Sequence, residues 1–263
     1  MNDVSPIGPD DGKPRLIEGD RFRFNEDARG WCHACRVRDN IEYIVILMPA
    51  CNLADAREWL RTFKECRRIS PILQRYTGMI YLLGRTDEFC GARYNEDTNV
   101  VEFYSDASTG RLNAVLYGFH SDPLQDTIHH ESVHFLTQVM YREIEMLAKQ
   151  LDMVPRSAVE SAAAMVSPRY LPWCIQEKWR PFSGTDSSLK LAGEFVAETY
   201  MSQVIYRRPW TKGLIPALDA LRERVLTMEV EPVHASDAAR RLRRFHRQED
   251  DRWRVDGRIF RRT

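Results

Sequence analysis

The sequence lacks three features that would assign it to common classes of protein. It has no run of eighteen apolar residues, which a membrane-spanning helix requires, so we expect no transmembrane segment. Its first residues, MNDVSPIGPDDGKPR, have neither the basic start nor the apolar core of a secretory signal. Its six cysteines are spread along 263 residues without the dense spacing of a disulfide framework. We therefore expect a cytoplasmic protein.

The sequence also lacks an excess of either charge. Lys plus Arg and Asp plus Glu both number 38, so the net charge indicates neither a nucleic-acid partner nor an anionic membrane. Positive charge is concentrated at the end of the chain, where ten arginines lie between Arg240 and Arg262. Acidic and apolar residues are interspersed among them, which favours a solvated helix and tail over a nucleic-acid site.

Hydrophobic residues make up 43% of the chain, enough for a substantial core, and we find no internal repeat. Apolar runs predict strands at residues 41–48, 79–83, 100–104 and 112–119. Helical apolar spacing predicts helices at residues 53–66, 123–150, 155–166, 188–206 and 213–228. The order of these elements indicates an α+β protein, with a mixed sheet first and a helical half second.

The segment His130-Glu131-Ser132-Val133-His134 contains the pattern HExxH. Two histidines at i and i+4 lie on one face of a helix, so both imidazoles can bind a single metal ion. Glu131 lies beside them, where it can take a proton from a water molecule that zinc has acidified. We therefore predict a Zn2+ site with His130 and His134 as ligands and Glu131 as general base.

The helix predicted around this pattern is apolar over most of its circumference, with Pro123 in its first turn. Histidines on such a buried helix need partners, and a metal ion supplies one. His129 points about a quarter-turn away from His130, taking about 100° per residue. We interpret His129 as a residue behind the ligands or on the surface.

A third ligand is expected downstream, because a catalytic zinc usually has three protein ligands. In the helix predicted at 188–206, Glu194 and Glu198 fall within the apolar arc. Buried carboxylates are costly unless they are paired or bind a metal. We interpret Glu194 as a zinc ligand and Glu198 as the residue that orients a ligand histidine. The alternative is a pair of glutamates in salt bridges with basic residues.

The HExxH helix followed by Glu194-Phe195-Val196-Ala197-Glu198 resembles the gluzincin-type zinc metallopeptidases, specifically the lethal-factor-like branch. The resemblance covers about residues 120–205. It implies that His130, His134 and Glu194 bind zinc and that Glu131 is the base. That branch often has a tyrosine shortly before the ligand glutamate, which steadies the oxyanion. Here Phe182, Ser183 and Ser187 occupy that region.

A second resemblance leaves another ligand open. Residues 171–177 resemble the Pro-x-x-x-x-Glu segment that supplies the third ligand in another gluzincin-like branch, which would make Glu177 the ligand. That branch usually has glycine after the glutamate, whereas Lys178 follows here. We favour Glu194 and keep Glu177 as the alternative.

The resemblance implies a zincin-like fold. The sequence patterns divide the chain into a flexible N-terminal arm (1–30), a sheet lobe with the metal helix (31–145), a helical lobe with the glutamate helix (146–232) and a basic C-terminal tail (233–263). A peptide substrate would pair with an edge strand, for which residues 99–104 or 112–118 are the candidates. Cys32 and Cys35 are not expected to have a metal or redox role.

We expect a zinc metallopeptidase that hydrolyses peptide bonds, as an endopeptidase rather than an exopeptidase. Its expected partner is a protein or peptide substrate, with no membrane partner and no nucleic acid. The alternative is a non-catalytic binding protein of the same fold, which would use the basic tail for a partner or nucleic acid. The sequence does not indicate an oligomeric state.

Overall fold

The computed structural model describes residues 15–17, 22–26, 33–39, 41–47, 53–75, 80–84, 92–95, 100–104, 123–179 and 185–229. Their contacts divide into two compact units. The described residues up to 109, apart from Arg68–Ser70, belong to the first unit, and Arg68–Ser70 and the described residues from 110 to 229 belong to the second. The first unit contains the strands and the second contains the helices from residue 123 onwards. The sequence predicted a boundary near residue 145, which would place the metal helix with the sheet. The structure instead places this helix with the other helices of the second unit. The reason is that this helix packs against the glutamate helix.

The first unit contains a mixed sheet. Its strands are β1 (Arg15–Ile17), β2 (Phe22–Glu26), β3 (His33–Asp39), β4 (Ile41–Leu47), β5 (Ile80–Gly84), β6 (Ala92–Asn95) and β7 (Val100–Tyr104). They lie in the order β1-β2-β3-β4-β5-β7-β6. The pairs from β1 to β4 are antiparallel, β4, β5 and β7 are parallel, and β6 is antiparallel to β7.

The parallel pair β4 and β5 requires a crossover connection, which helices α1 (Leu53–Ile69) and α2 (Pro71–Arg75) provide. The buried ring of Trp59 on α1 stacks on Phe63, with 4.8 Å between the ring centroids. It also lies 5.0 Å from the ring of Phe103 on β7. These aromatic contacts hold α1 against the sheet.

Three predicted strands, at 41–48, 79–83 and 100–104, lie within one residue of β4, β5 and β7. The strand predicted at 112–119 falls outside the described residues. The arm expected at 1–30 contains β1 and β2, two short strands in a polar segment. The expectation that residues 99–104 form an edge strand is wrong, because β7 lies between β5 and β6. Its backbone is therefore engaged on both sides.

The second unit is helical. Its elements are α3 (Pro123–Val133), α4 (Leu136–Val139), α5 (Tyr141–Met153), α6 (Arg156–Val166), α7 (Tyr170–Glu177), α8 (Thr185–Tyr200), a π-helical turn (Met201–Ile205) and α9 (Pro216–Thr227). Helix α8 packs against all six of these other α-helices. Apolar residues cover it on most sides, as expected for a central helix. Those that are fully buried include Ala192, Phe195, Val196 and Ala197.

The single helix predicted at residues 123–150 is wrong, since the chain forms α3, α4 and α5 there. Helix α3 ends beside His134, whose carbonyl oxygen accepts hydrogen bonds from both the backbone N–H and the hydroxyl of Thr137. Such side-chain bonds compete with the regular helical pattern. Val139 on α4 is 58% exposed, although it belongs to the apolar spacing that predicted one continuous helix.

The helix predicted at 188–206 is also interrupted near its end. Helix α8 passes into the π-helical turn, a feature that often marks a functional region. Immediately after this turn, the Tyr206 hydroxyl donates a hydrogen bond to the buried carboxylate of Asp126 on α3. The end of α8 is thereby tied to the beginning of α3.

Within the described parts of the chain, no helix combines the length and the apolar character that crossing a membrane requires. Cys66 and Cys174 are free thiols in the core. Cys35 lies on β3, whereas Cys32 is outside the described residues.

The central packing of the helical unit can be tested at Leu147 on α5, which is fully buried. We expect Leu147→Ala to lower the free energy of unfolding by about 2–5 kcal/mol, because it removes buried methyl groups and leaves a cavity. Met153 on the same helix is 83% exposed and provides the control. Met153→Ala should change the free energy by no more than about 0.5 kcal/mol in urea denaturation. Equal effects of the two substitutions would contradict this packing.

Candidate metal centre

Three residues of the helical unit bring possible metal ligands together. His130 lies in the last turn of α3, His134 lies just after its end, and Glu194 lies on α8. The Nε2 atom of His130 is 3.1 Å from Nε2 of His134 and 3.0 Å from Oε2 of Glu194. The third side of this triangle, from His134 Nε2 to Glu194 Oε2, is 3.6 Å. This ligand group, His130, His134 and Glu194, could hold one metal ion.

The ligand group is buried on one side and accessible on the other. The side chain of His130 is 2% exposed, whereas those of His134 and Glu194 are 13% and 24% exposed. A metal ion held by the three residues would therefore retain access to solvent past His134 and Glu194. Such access is what distinguishes a catalytic metal site from a closed structural one.

Glu198 lies one helical turn after Glu194 and is fully buried. Its Oε1 atom is 2.7 Å from Nδ1 of His130 and accepts a hydrogen bond from that nitrogen. A proton held on Nδ1 leaves the lone pair of Nε2 free to face the other ligand atoms. Glu198 therefore has the orienting contact that the sequence assigned to it.

The ionisation states of two members of the ligand group, Glu194 and His134, suit metal binding. Burial alone would raise the pKa of Glu194, but the electrostatic influence of His134 and the hydrogen bond with His130 lower it to about 2. Burial lowers the pKa of His134 to about 4, in spite of the negative charge of Glu194. At neutral pH these residues are thus a carboxylate and a neutral imidazole, the forms in which each binds metals.

The pKa of His130 is shifted in the opposite direction, upward. Burial lowers its pKa, but the hydrogen bonds and charges of Glu194 and Glu198 outweigh burial and raise the pKa well above its ordinary value. Two carboxylates around one imidazole therefore favour a positive charge at this position. A metal cation satisfies the same electrostatic preference.

Tyr170, at the start of α7, is a site residue that the sequence interpretation missed. Its hydroxyl donates a hydrogen bond of 3.1 Å to Oε2 of Glu194, and its ring lies edge-on to His130 at 5.0 Å. Burial and then the charge of Glu194 raise the pKa of this phenol well above its ordinary value, so it stays protonated.

The residues shortly before Glu194, where the related branch has its tyrosine, are Phe182, Ser183 and Ser187. Phe182 and Ser183 lie outside the described residues, and Ser187 is not in the ligand group. Tyr170 is 24 residues before Glu194 and reaches it through the packing of α7 on α8. A signal existed in the run Tyr170-Leu171-Pro172-Trp173, whose aromatic spacing suits a short helix.

Glu131 is next to the ligand His130 but is not a member of the ligand group. Its side chain is only partly buried. After burial, Glu194 and Cys174, its negative charge contributes to the raised pKa of Tyr170. Glu131 is thus adjacent to the ligand group in sequence, and Tyr170 contacts it, but neither residue belongs to it.

Two other residues considered from the sequence are not in the ligand group. Glu177 is exposed at the end of α7, so the structure brings Glu194 to the two histidines and leaves Glu177 outside. His129 is fully buried, so the suggestion of a surface position was wrong. Burial lowers the pKa of His129 to about 4, and among the described residues neither ring nitrogen has a hydrogen-bond partner.

Comparisons of the chain with protein-family models, with curated proteins and with solved structures found no match.

We expect Glu194→Gln to weaken metal binding by more than about 100-fold, since even residues behind the ligands typically contribute about 10–100-fold. Glu177→Gln removes the same charge from an exposed position and should leave metal affinity unchanged. The measurement is metal content by mass spectrometry after dialysis against a graded chelator. Equal metal retention in the two variants would show that neither glutamate is the third ligand.

Proposed function

We propose that the protein is a zinc-dependent peptidase in which His130, His134 and Glu194 bind the metal. The observation that carries this proposal is the triangle of ligand atoms, with sides of 3.0, 3.1 and 3.6 Å. Ligands at about 2.0–2.1 Å from zinc in a tetrahedron lie about 3.3 Å from one another. The three side chains thus match the spacing that tetrahedral zinc requires.

The identity of the ligands supports the choice of zinc. Two imidazoles and one carboxylate form a set that catalytic zinc sites use, with the fourth position left for water or substrate. Harder cations such as Mg2+ and Ca2+ prefer sites made of oxygen atoms alone. The partial exposure of His134 and Glu194 leaves room for a fourth ligand.

When bound, zinc would supply Lewis acidity toward a substrate carbonyl and make water a stronger acid. Glu131 directly follows the ligand His130 in the sequence, and in this mechanism its carboxylate accepts the proton of the attacking water. The same carboxyl group then returns that proton to the leaving amine nitrogen. Peptide hydrolysis needs both transfers, and one carboxylate can perform both.

Tyr170 supplies the hydrogen-bond donor that the resemblance left unassigned. Its protonated hydroxyl is next to Oε2 of Glu194, beside the position proposed for the metal. Negative charge develops on the carbonyl oxygen as water attacks, and the phenol would stabilise it by turning its single O–H from Glu194 to that oxygen. His130, edge-on to the phenol ring, helps to fix the position of that donor.

The proposed relationship to the lethal-factor-like gluzincins, and with it a zincin-like fold, rests on this ligand set and on the spacing of Glu194 and Glu198. The alternative, a non-catalytic binding protein, depends on the basic tail at 233–263. That tail lies outside the described residues. Among the described residues around the ligand group, we find no contact or charge that favours binding without catalysis.

The proposed mechanism predicts that Glu131→Gln abolishes most activity and leaves the metal in place. Proton transfer by a positioned side chain contributes about 10²–10⁴-fold, so hydrolysis of a peptide library should fall by that factor. Metal content and melting temperature should stay at the values of the parent protein. Glu177→Gln is the matched control and should retain full activity. A Glu131→Gln protein that cleaves peptides at the parent rate would rule out this mechanism.

A second prediction concerns Tyr170→Phe, which removes only the hydroxyl. We expect kcat to fall by about 10²–10³-fold, the usual cost of losing one oxyanion donor, with little change in metal content. Tyr141→Phe provides a control at a tyrosine that is 57% exposed on α5. A Tyr170→Phe variant with unchanged kcat would show that the hydroxyl acts only as a structural partner of Glu194.

A further inference from the structure

Lys178 immediately follows α7 and has an exposed side chain. Its Nζ atom lies 4.5 Å from the centroid of the Trp173 ring, in the geometry of a cation–π contact. Among the described residues, no acidic side chain forms an ion pair with it. Lys178 is thus a cation that is held on an aromatic surface but not neutralised within the described chain.

Trp173 connects this cation to the ligand group. Its ring centroid is 6.0 Å from that of Tyr170, and the two rings are tilted by 33°. Tyr170 in turn contacts both His130 and Glu194. Helix α7 therefore presents a continuous row, from a phenol at the ligand group through an indole to an ammonium group.

Lys178 is the first residue after α7, and a helix C-terminus favours a lysine. That preference does not require the ammonium group to lie on the ring of Trp173, where the structure places it.

We infer that Lys178 and Trp173 form a carboxylate-binding subsite, which selects peptide substrates with an acidic group near the bond to be cleaved. This inference rests on the proposed function, because it assigns the substrate class of the same site. The ammonium group would pair with the carboxylate, and the indole would cover the apolar stem of the acidic residue. The carboxylate can belong to an acidic side chain or to the free end of a peptide.

The test measures binding and does not require turnover. The probes are short peptide hydroxamates, which would bind the zinc-loaded protein through the hydroxamate group. They are made in pairs that differ only in having Glu or Gln at one position, with one pair for each position of the peptide. The affinity of each probe is measured by calorimetry at low salt. At one position we expect the Glu form to bind about two- to fivefold more tightly, as for an exposed ion pair.

The substitution Lys178→Met should remove the preference for Glu and leave the affinity of the Gln form unchanged. Lys178→Glu should reverse the preference. Lys149→Met changes the net charge equally at an exposed position of α5 and should keep the preference of the parent protein. Added salt should weaken the preference in the parent, because exposed charges are screened.

Cleavage of a peptide library, prepared as free acids and as C-terminal amides, identifies the source of the carboxylate. A preference that is lost on amidation assigns it to the peptide end, and one that persists assigns it to a side chain. The subsite is overturned if the parent protein and Lys178→Met discriminate equally between the Glu and Gln probes. Failure of the proposed peptidase function gives a different result: the purified protein contains no zinc, or it binds the probes but cleaves no peptide of the library.

Discussion

The hydrogen bond between Glu198 and His130 is the contact on which the arrangement of the helical unit depends. A carboxylate at the centre of an apolar helix is costly to bury, and an imidazole N–H offsets that cost. Because α8 contacts every other helix of its unit, a fixed pairing between α8 and α3 constrains them all. The same bond sets the direction of His130 Nε2 and therefore the position of the ligand group.

Much of the candidate site could be predicted from local patterns. The spacing of His130 and His134 places both on one helix face, and carboxylates within an apolar arc revealed Glu194 and Glu198. These are properties of single helices, which periodicity describes well. Tyr170 and Lys178 could not be found in this way, because α7 comes to the ligand group only through tertiary packing.

The fold was predictable to a similar extent. Strands β4, β5 and β7 are apolar runs, whereas β1 and β2 are short strands in a polar segment and gave no clear signal. The lateral order of strands depends on pairing between distant residues, which explains why β7 was mistaken for an edge strand. At the break after α3, both the hydroxyl and the backbone N–H of Thr137 bond to the carbonyl of His134, a local arrangement that apolar spacing does not reveal.

The π-helical turn between Met201 and Ile205 has a consequence for how this segment tolerates change in length. A π-helical turn contains one residue more than an α-helical turn, and each residue of an α-helix rotates the chain by about 100°. Deleting any one of the five residues would restore regular helix and swing Tyr206 away from Asp126. The number of residues in this turn therefore decides whether Tyr206 can reach Asp126.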